Sequence, residues 1–190
     1  TLFAGLMAND EIKKITGGRF KGIHYFAGKY YACNYDDADK PIYSDLDVVC
    51  FGFALTNVEH DKSTSYPDIK TIIFDEFLTS KAYLADEFVS FMNVVSTIVR
   101  RREDVKIYML GNTVNKYSPY FGEMGLKNIE RMEAGTIDLY SYGDSGLTVA
   151  VEYCSSMNDP SSTKNKYFAF DNPKLRMITS GAWELNMFPH

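Results

Sequence analysis

Cysteine is scarce in this 190-residue chain: three residues, Cys33, Cys50 and Cys154, an odd number set far apart in apolar stretches. That usage excludes a disulfide framework and predicts reduced core thiols in a reducing compartment. The three histidines, His24, His60 and His190, are equally scattered. No Cys/His cluster has the spacing of a zinc site, so a metal held by protein ligands alone is not expected. Basic excess is missing as well, the formal net charge being −5. Global electrostatics therefore announces no nucleic-acid partner, although a local channel or a ring pooling a few lysines per subunit could still attract phosphate. No apolar run approaches the roughly 20 residues that span a bilayer, and no charged-then-apolar leader opens the chain. A soluble, intracellular protein is expected. Internal repeats and low-complexity tracts are also lacking.

What is present is an ordinary globular composition, 45% hydrophobic and 24% charged, with 14 Tyr and 13 Phe. Aromatics at that density serve sheet and core packing more often than base stacking. Residues 1 to 15 read as a short helix, with Leu2, Phe3, Leu6 and Met7 on one face, continued by Ile12 and Ile15. The chain starts at Thr1 inside that pattern, which suggests a truncated chain. From Arg19 the period changes to two, and 19–26 and 29–35 read as a hairpin across Ala27-Gly28. A further strand follows at 47–55.

The stretch Thr71-Ile-Ile-Phe-Asp-Glu-Phe77 carries the most information. An apolar run ending in two carboxylates reads as a buried parallel strand delivering Asp75 and Glu76 to its C-terminal tip, where open α/β sheets place ligands. There Asp75 suits the water shell of a Mg²⁺ ion bound to a nucleoside triphosphate, and Glu76 suits orientation of the attacking water. This is the Walker B arrangement. Apolar strands also end in Asp-Glu in proteins that bind no nucleotide.

Residues 85–102 form the clearest helix, with Phe88, Phe91, Met92, Val95, Ile98 and Val99 on one face. Asp86 and Glu87 are expected in its first turn and Arg100, Arg101 and Arg102 in its last, matching the helix dipole. The next apolar run, 105–110, completes a βαβ unit. It ends in Gly111-Asn112, which puts Asn112 beside the acidic tip, in position to sense a γ-phosphate or simply to cap a turn. Arg100 is a candidate arginine finger toward a neighbouring subunit, against the plainer role of a solvated helix end. A second hairpin is read at 135–153; the tail 167–190 has no clear assignment. The phosphate-cradling pattern G-x-x-x-x-G-K-[ST] is not found; Ala27-Gly-Lys-Tyr30 lacks the upstream glycine and the hydroxyl. If the tip is genuine, that segment is expected before Thr1.

Four ordered motifs then carry a family resemblance: Asp61-Lys-Ser-Thr-Ser-Tyr-Pro67, Thr71 to Phe77, the helix ending in Arg100-Arg-Arg-Glu103, and Met109 to Asn115 followed by Ser118-Pro-Tyr-Phe121. The chain resembles the DNA-packaging ATPases, also called DNA encapsidation proteins, of phi29-type tailed phages. The resemblance implies an α/β fold of the P-loop NTPase kind, in its additional-strand, catalytic-glutamate class: a mostly parallel sheet with flanking helices and β-hairpin additions, N-terminally truncated. By it, residues 1–190 form a single partial motor domain without the phosphate loop or the C-terminal nuclease-like domain. It implies ATP and Mg²⁺ as cofactors, double-stranded DNA and a portal or procapsid as partners, with a packaging RNA as a further one. A homomeric ring in the cytoplasm of a bacterial host is implied too.

The same resemblance makes Asp75 the Mg²⁺ residue, Glu76 the water activator, Asn112 the coupling sensor and Arg100 the trans-acting finger, with Arg102 the second choice. Lys62 matches a family lysine near a neighbour's nucleotide or the DNA, and reads equally as a solvated loop lysine. The competing readings are another P-loop translocase and a non-enzymatic binding or assembly module.

Overall fold

The structure, a computed structural model, describes residues 3–56, 66–79, 82–112 and 118–155. Lys62, His60, His190 and the tail 167–190 lie outside the described residues. The chain divides into two compact units, Thr1–Lys62 and Ser63–His190.

The first unit opens with two short helices, α1 (Ala4–Ala8) and α2 (Glu11–Ile15), where one was expected. Asp10 breaks the helix by adopting a left-handed backbone, φ 55°. Strands β1 (Gly22–Phe26) and β2 (Lys29–Tyr35) form the expected hairpin. Ala27 and Gly28 both take positive φ, 48° and 78°, and this turn matches the right-handed twist of its strands. On the other edge of β2 lie β3 (Pro41–Ile42) and β4 (Val48–Phe51), both antiparallel to it. β4 is shorter than the strand expected over 47–55. Tyr31, Ala32 and Cys33 are buried at the sheet centre, and Tyr31 packs its ring on Tyr43 at 4.6 Å. Tyr31 is a packing element here, whereas Tyr25 and Phe26 are exposed. Burial pushes the Cys33 and Cys50 thiols up, away from the reactive thiolate. Of the free cysteines, Cys33 is a core thiol and Cys50 is half-buried, but Cys154 is exposed, a departure from the expected set of core thiols.

In the second unit β5 (Thr71–Phe74) and β6 (Lys106–Met109) pair in parallel, Thr71 opposite Lys106 and Phe74 opposite Met109. Their connection contains α3 (Glu87–Val99), whose Phe91, Val94, Val95 and Ile98 are buried. Phe91 stacks on Phe74 at 4.7 Å, so the helix covers the face of the pair that bears Ile72 and Phe74. Helix α4 (Pro119–Glu123) follows, and the antiparallel hairpin β7 (Thr136–Ser141) and β8 (Thr148–Tyr153) closes the described chain.

The fold is mixed α/β with small sheets, and a mostly parallel sheet is not what the described residues form. Among the described residues only β5 and β6 run parallel, and the other pairs are antiparallel. The reason is connection length. A parallel pair needs a crossover, which α3 supplies, whereas the short turns joining β1 to β2 and β7 to β8 permit only antiparallel return. Among the described residues no helix is long and apolar enough to cross a membrane.

Candidate active site

The acids follow directly on β5, but that strand is not the buried one expected, since Ile72 is buried while Thr71 and Ile73 are exposed on a pair of only two strands among the described residues. Leu110 donates its N–H to the Phe74 carbonyl at 2.8 Å, and a regular parallel ladder would then bring the Glu76 N–H to the Leu110 carbonyl. Phe77 takes that bond instead, at 3.1 Å. Glu76 is therefore one residue too many for the ladder, a β-bulge that lifts it out of the strand. Its backbone is left-handed, φ 55°, and its displaced N–H donates to Asp75 Oδ1 at 3.0 Å. Both side chains are exposed. The pair is thus a short acidic knuckle whose backbone is held by one of its own carboxylates.

The exit of β6 backs this knuckle closely. A Cβ on Gly111 would sit 2.9 Å from Leu78 Cγ, so only glycine lets the two chains approach as they do. Asn112, the next residue, is exposed at the same end of the parallel pair. The structure thus brings Asp75, Glu76 and Asn112 to one edge.

Beneath lies an aromatic floor. Tyr120 is fully buried, and its ring meets Phe74 at 5.6 Å, Phe77 at 5.7 Å and Phe88 at 5.8 Å. Its hydroxyl donates to Glu87 Oε1 at 2.8 Å, while Glu87 Oε2 accepts the Leu84 N–H at 2.8 Å. Burial first, and then the Glu87 carboxylate, push the Tyr120 hydroxyl far above the ordinary tyrosine range. Tyr83 donates its hydroxyl to Ser118 Oγ at 3.2 Å, a second tie between the segment after the knuckle and the start of α4. Sequence reasoning singled out Ser118-Pro-Tyr-Phe121 only as a motif. Ser before Pro is a helix-start signal that could have located α4, but nothing local marks Tyr120 as the hub of the core.

The arginines lie elsewhere. α3 stops at Val99, and Arg100 and Arg101 follow it with left-handed backbones, φ 43° and 67°. They stand past the helix end, and its last turn holds no basic residue, unlike the expectation. Arg102 turns back: Nε donates to the Val99 carbonyl, Nη1 to those of Pro67 and Ile69 (each 2.8 Å), and Nη2 to those of Tyr66 and Ile98 (3.1 and 3.0 Å). Tyr66 to Ile69 precede β5, so the arginines sit at the opposite end of that strand from the acids. At about 3.3 Å per residue, the five steps from Lys70 to Asp75 span roughly 16 Å. An open groove of about 470 Å³ beside α3, lined by Met92, Val95, Ser96, Val99, Arg100 and Arg101, belongs to this arginine end and not to the knuckle.

Among the described residues no group of three or more His, Cys, Asp or Glu side chains is placed to hold a metal ion. The donor set at the knuckle, one Asp75 oxygen beyond the Glu76 bond and the Glu76 carboxylate, suits an ion held mainly by phosphate and water with one outer carboxylate contact.

A family model described as podovirus DNA encapsidation protein (Gp16) matches residues 25–134, more than half of the chain and all of the acidic edge. The chain belongs to that family. Against the DNA packaging protein of Bacillus phage phi29 this Gp16-family chain is 34% identical over 82 residues, 42% of its length and 25% of that protein. Against the DNA packaging protein of Bacillus phage B103 it is 37% identical over 71 residues, covering 36% of this chain and 22% of the relative. It therefore spans about a quarter of the length of the curated relatives it matches. The solved N-terminal domain of the DNA packaging ATPase from bacteriophage phi29 is similar in fold, TM-score 0.54 at 22% identity, over 81% of this chain and 71% of that one. The phi-28 gp11 DNA packaging motor gives TM-score 0.60 at 22% identity, over 88% of this chain and 43% of that one.

Proposed function

We propose that this Gp16-family chain is the acid-bearing half of an ATP-driven motor domain that moves double-stranded DNA into a phage procapsid as part of a homomeric ring on the portal. The observation that carries the reading is the bulge: two exposed carboxylates held out of a parallel ladder, with Asn112 on the adjacent strand end. Strained residues and bulges cluster at sites of chemistry, which supports the reading.

In this reading Asp75 keeps one oxygen on the Glu76 N–H, and its other oxygen would meet the water shell of Mg²⁺·ATP. A bound nucleoside triphosphate would supply the reacting phosphoryl group, and its Mg²⁺ would offset the charge there. Glu76, left-handed and outside the ladder, orients a water and accepts its proton. Asn112 donates its amide toward the same space and reports whether the terminal phosphate is there. Arg100 stands at the far end of β5 and reaches a nucleotide in the neighbouring subunit, which is why it stands apart from its own acids. Lys62 is assigned to the neighbour's nucleotide or the DNA on the family resemblance.

The test is Glu76→Gln in the full-length phage protein. DNA-stimulated ATP hydrolysis is expected to fall by at least about 10², the contribution of a positioned general base, with ATP binding retained. Unchanged turnover defeats the assignment.

A further inference from the structure

We propose that Arg102 is a positioning residue: its guanidinium locks the strained Arg100-Arg101 turn and so presents Arg100 to a neighbouring subunit, instead of touching nucleotide itself. The inference rests on the motor reading only for what Arg100 does there.

The first argument is saturation. A guanidinium has five N–H donors and no acceptor. In Arg102 all five are spent on five main-chain carbonyls, those of Tyr66, Pro67, Ile69, Ile98 and Val99. No donor remains for a phosphate, and its near carboxylate, Asp104 Oδ1 at 3.8 Å, adds charge balance on the same side.

The second argument is strain. Two successive non-glycine residues in the left-handed region do not persist unless their surroundings over-determine them. Arg102 makes most of the bonds around them, beside the Arg100 N–H on the Ser96 carbonyl and Arg100 Nε on the Thr97 carbonyl, each at 3.1 Å. The Arg102 N–H bonds the Val99 carbonyl at 2.9 Å, and its side chain takes Val99 again together with Ile98. Those are carbonyls that the end of α3 would otherwise leave without partners. The same side chain binds the segment entering β5, so the helix end is referenced to the strand that carries Asp75 and Glu76. Arg100 and Arg101 are exposed while Arg102 is drawn in. Three identical side chains in a row thus hold different positions: Arg102 anchors, Arg100 lies exposed with its Nε donating to the Thr97 carbonyl at 3.1 Å, and Arg101 is exposed.

The experiment uses the full-length protein with Arg102→Lys, Arg102→Gln, Arg100→Ala and the double variant Arg100→Ala/Arg102→Gln. In native-state trypsin digestion, cleavage after Arg100 and Arg101 should speed up about tenfold in Arg102→Gln and less in Arg102→Lys, because cutting follows the population of the opened turn. ATP turnover should fall in kcat toward the Arg100→Ala value with KM for ATP unchanged. The double variant should be no slower than Arg100→Ala alone, since a residue acting through another shows non-additive loss. A raised KM with kcat retained would make Arg102 a nucleotide ligand and overturn the proposal, as would unaltered digestion or losses that multiply. If the wild-type protein shows no turnover, the motor reading fails, while the digestion pattern still decides the clamp. Should Arg102→Gln not fold, Arg102→Lys decides on the same two readouts.

Discussion

Asp75 accepts the backbone N–H of its neighbour Glu76 at 3.0 Å, and Glu76 stands in a left-handed conformation outside the β5–β6 ladder. A carboxylate thereby does a structural task at the place where the proposed function also uses its charge. Two effects oppose each other at position 76. Left-handed backbone costs a side-chain-bearing residue about 1–2 kcal/mol, whereas glycine carries an entropic penalty of about 0.5–1 kcal/mol. Relief of strain wins. Glu76→Gly is expected to raise stability by about 0.5–1 kcal/mol, or about 1–4 °C in Tm, while removing hydrolysis. Calorimetry on the full-length protein checks this, and a lowered Tm would show that Glu76 is not strained.

Tyr120 offers a prediction at alkaline pH. Its hydroxyl is buried against Glu87 Oε1, and burial followed by the Glu87 bond raises its folded pKa. A raised folded value means a stabilising contribution that is complete below the unfolded tyrosine pKa, about 10, and is lost as pH climbs from there toward the folded value. Tyr120→Phe should therefore cost about 1 kcal/mol at pH 7, mostly for the Glu87 oxygen left without its donor, and should show a shallower fall of Tm above pH 10 than wild type. Parallel slopes in the two proteins would remove Tyr120 from the alkaline transition.

The βαβ unit was legible because each of its parts carries a local signal: an apolar run into two acids, a three- and four-residue apolar spacing, another apolar run. Hairpin turns were equally legible, since Ala27-Gly28 and 143–146 announce themselves by composition. Asp10, Arg100 and Arg101 were not. Each takes a backbone conformation that its residue type disfavours, so a reader of propensities runs the helix through. The roles of Tyr120, Glu87 and Arg102 depend on partners between 33 and 36 residues away in sequence, which no local pattern reports. The mostly parallel sheet was inferred from the family resemblance and not from these residues, whose hairpins β1–β2 and β7–β8 are joined by turns too short for it.

Lys70 and Asp104 form an ion pair between the entry of β5 and the entry of β6. The hydrogen bond from Lys70 first, and the charges of Lys70 and Arg102 after it, hold the Asp104 carboxyl below the usual aspartate range. A depressed folded pKa gives a contribution present above the unfolded value, near 3.9, and lost as pH falls through the folded one. Both side chains are largely in solvent, so the effect on stability is small and salt-sensitive. Titration is the cleaner probe. In Lys70→Met the Asp104 carboxyl, followed by NMR, should titrate at higher pH than in wild type, and high salt should narrow the gap. Equal titration in both proteins would mean that the pair does not persist in solution.

Gly111 gives the sharpest test of how the acidic edge is built. A methyl group there would stand 2.9 Å from Leu78 Cγ and 3.1 Å from Leu78 Cβ, and because Cβ is fixed to the chain a rotamer change cannot clear the clash. Either Leu78 and its turn move or the exit of β6 does. Gly111→Ala should cost about 1–3 kcal/mol, as overpacking does. It should also lower ATP turnover more than nucleotide affinity, because residues 75–78 carry Glu76 with them. Leu78→Ala trims the obstructing atoms, so the double variant should be more stable than the two single losses predict, by about 1 kcal/mol. Denaturant melts of the four proteins measure that coupling. Additive losses would show that the two residues do not meet, and the knuckle would then need another support.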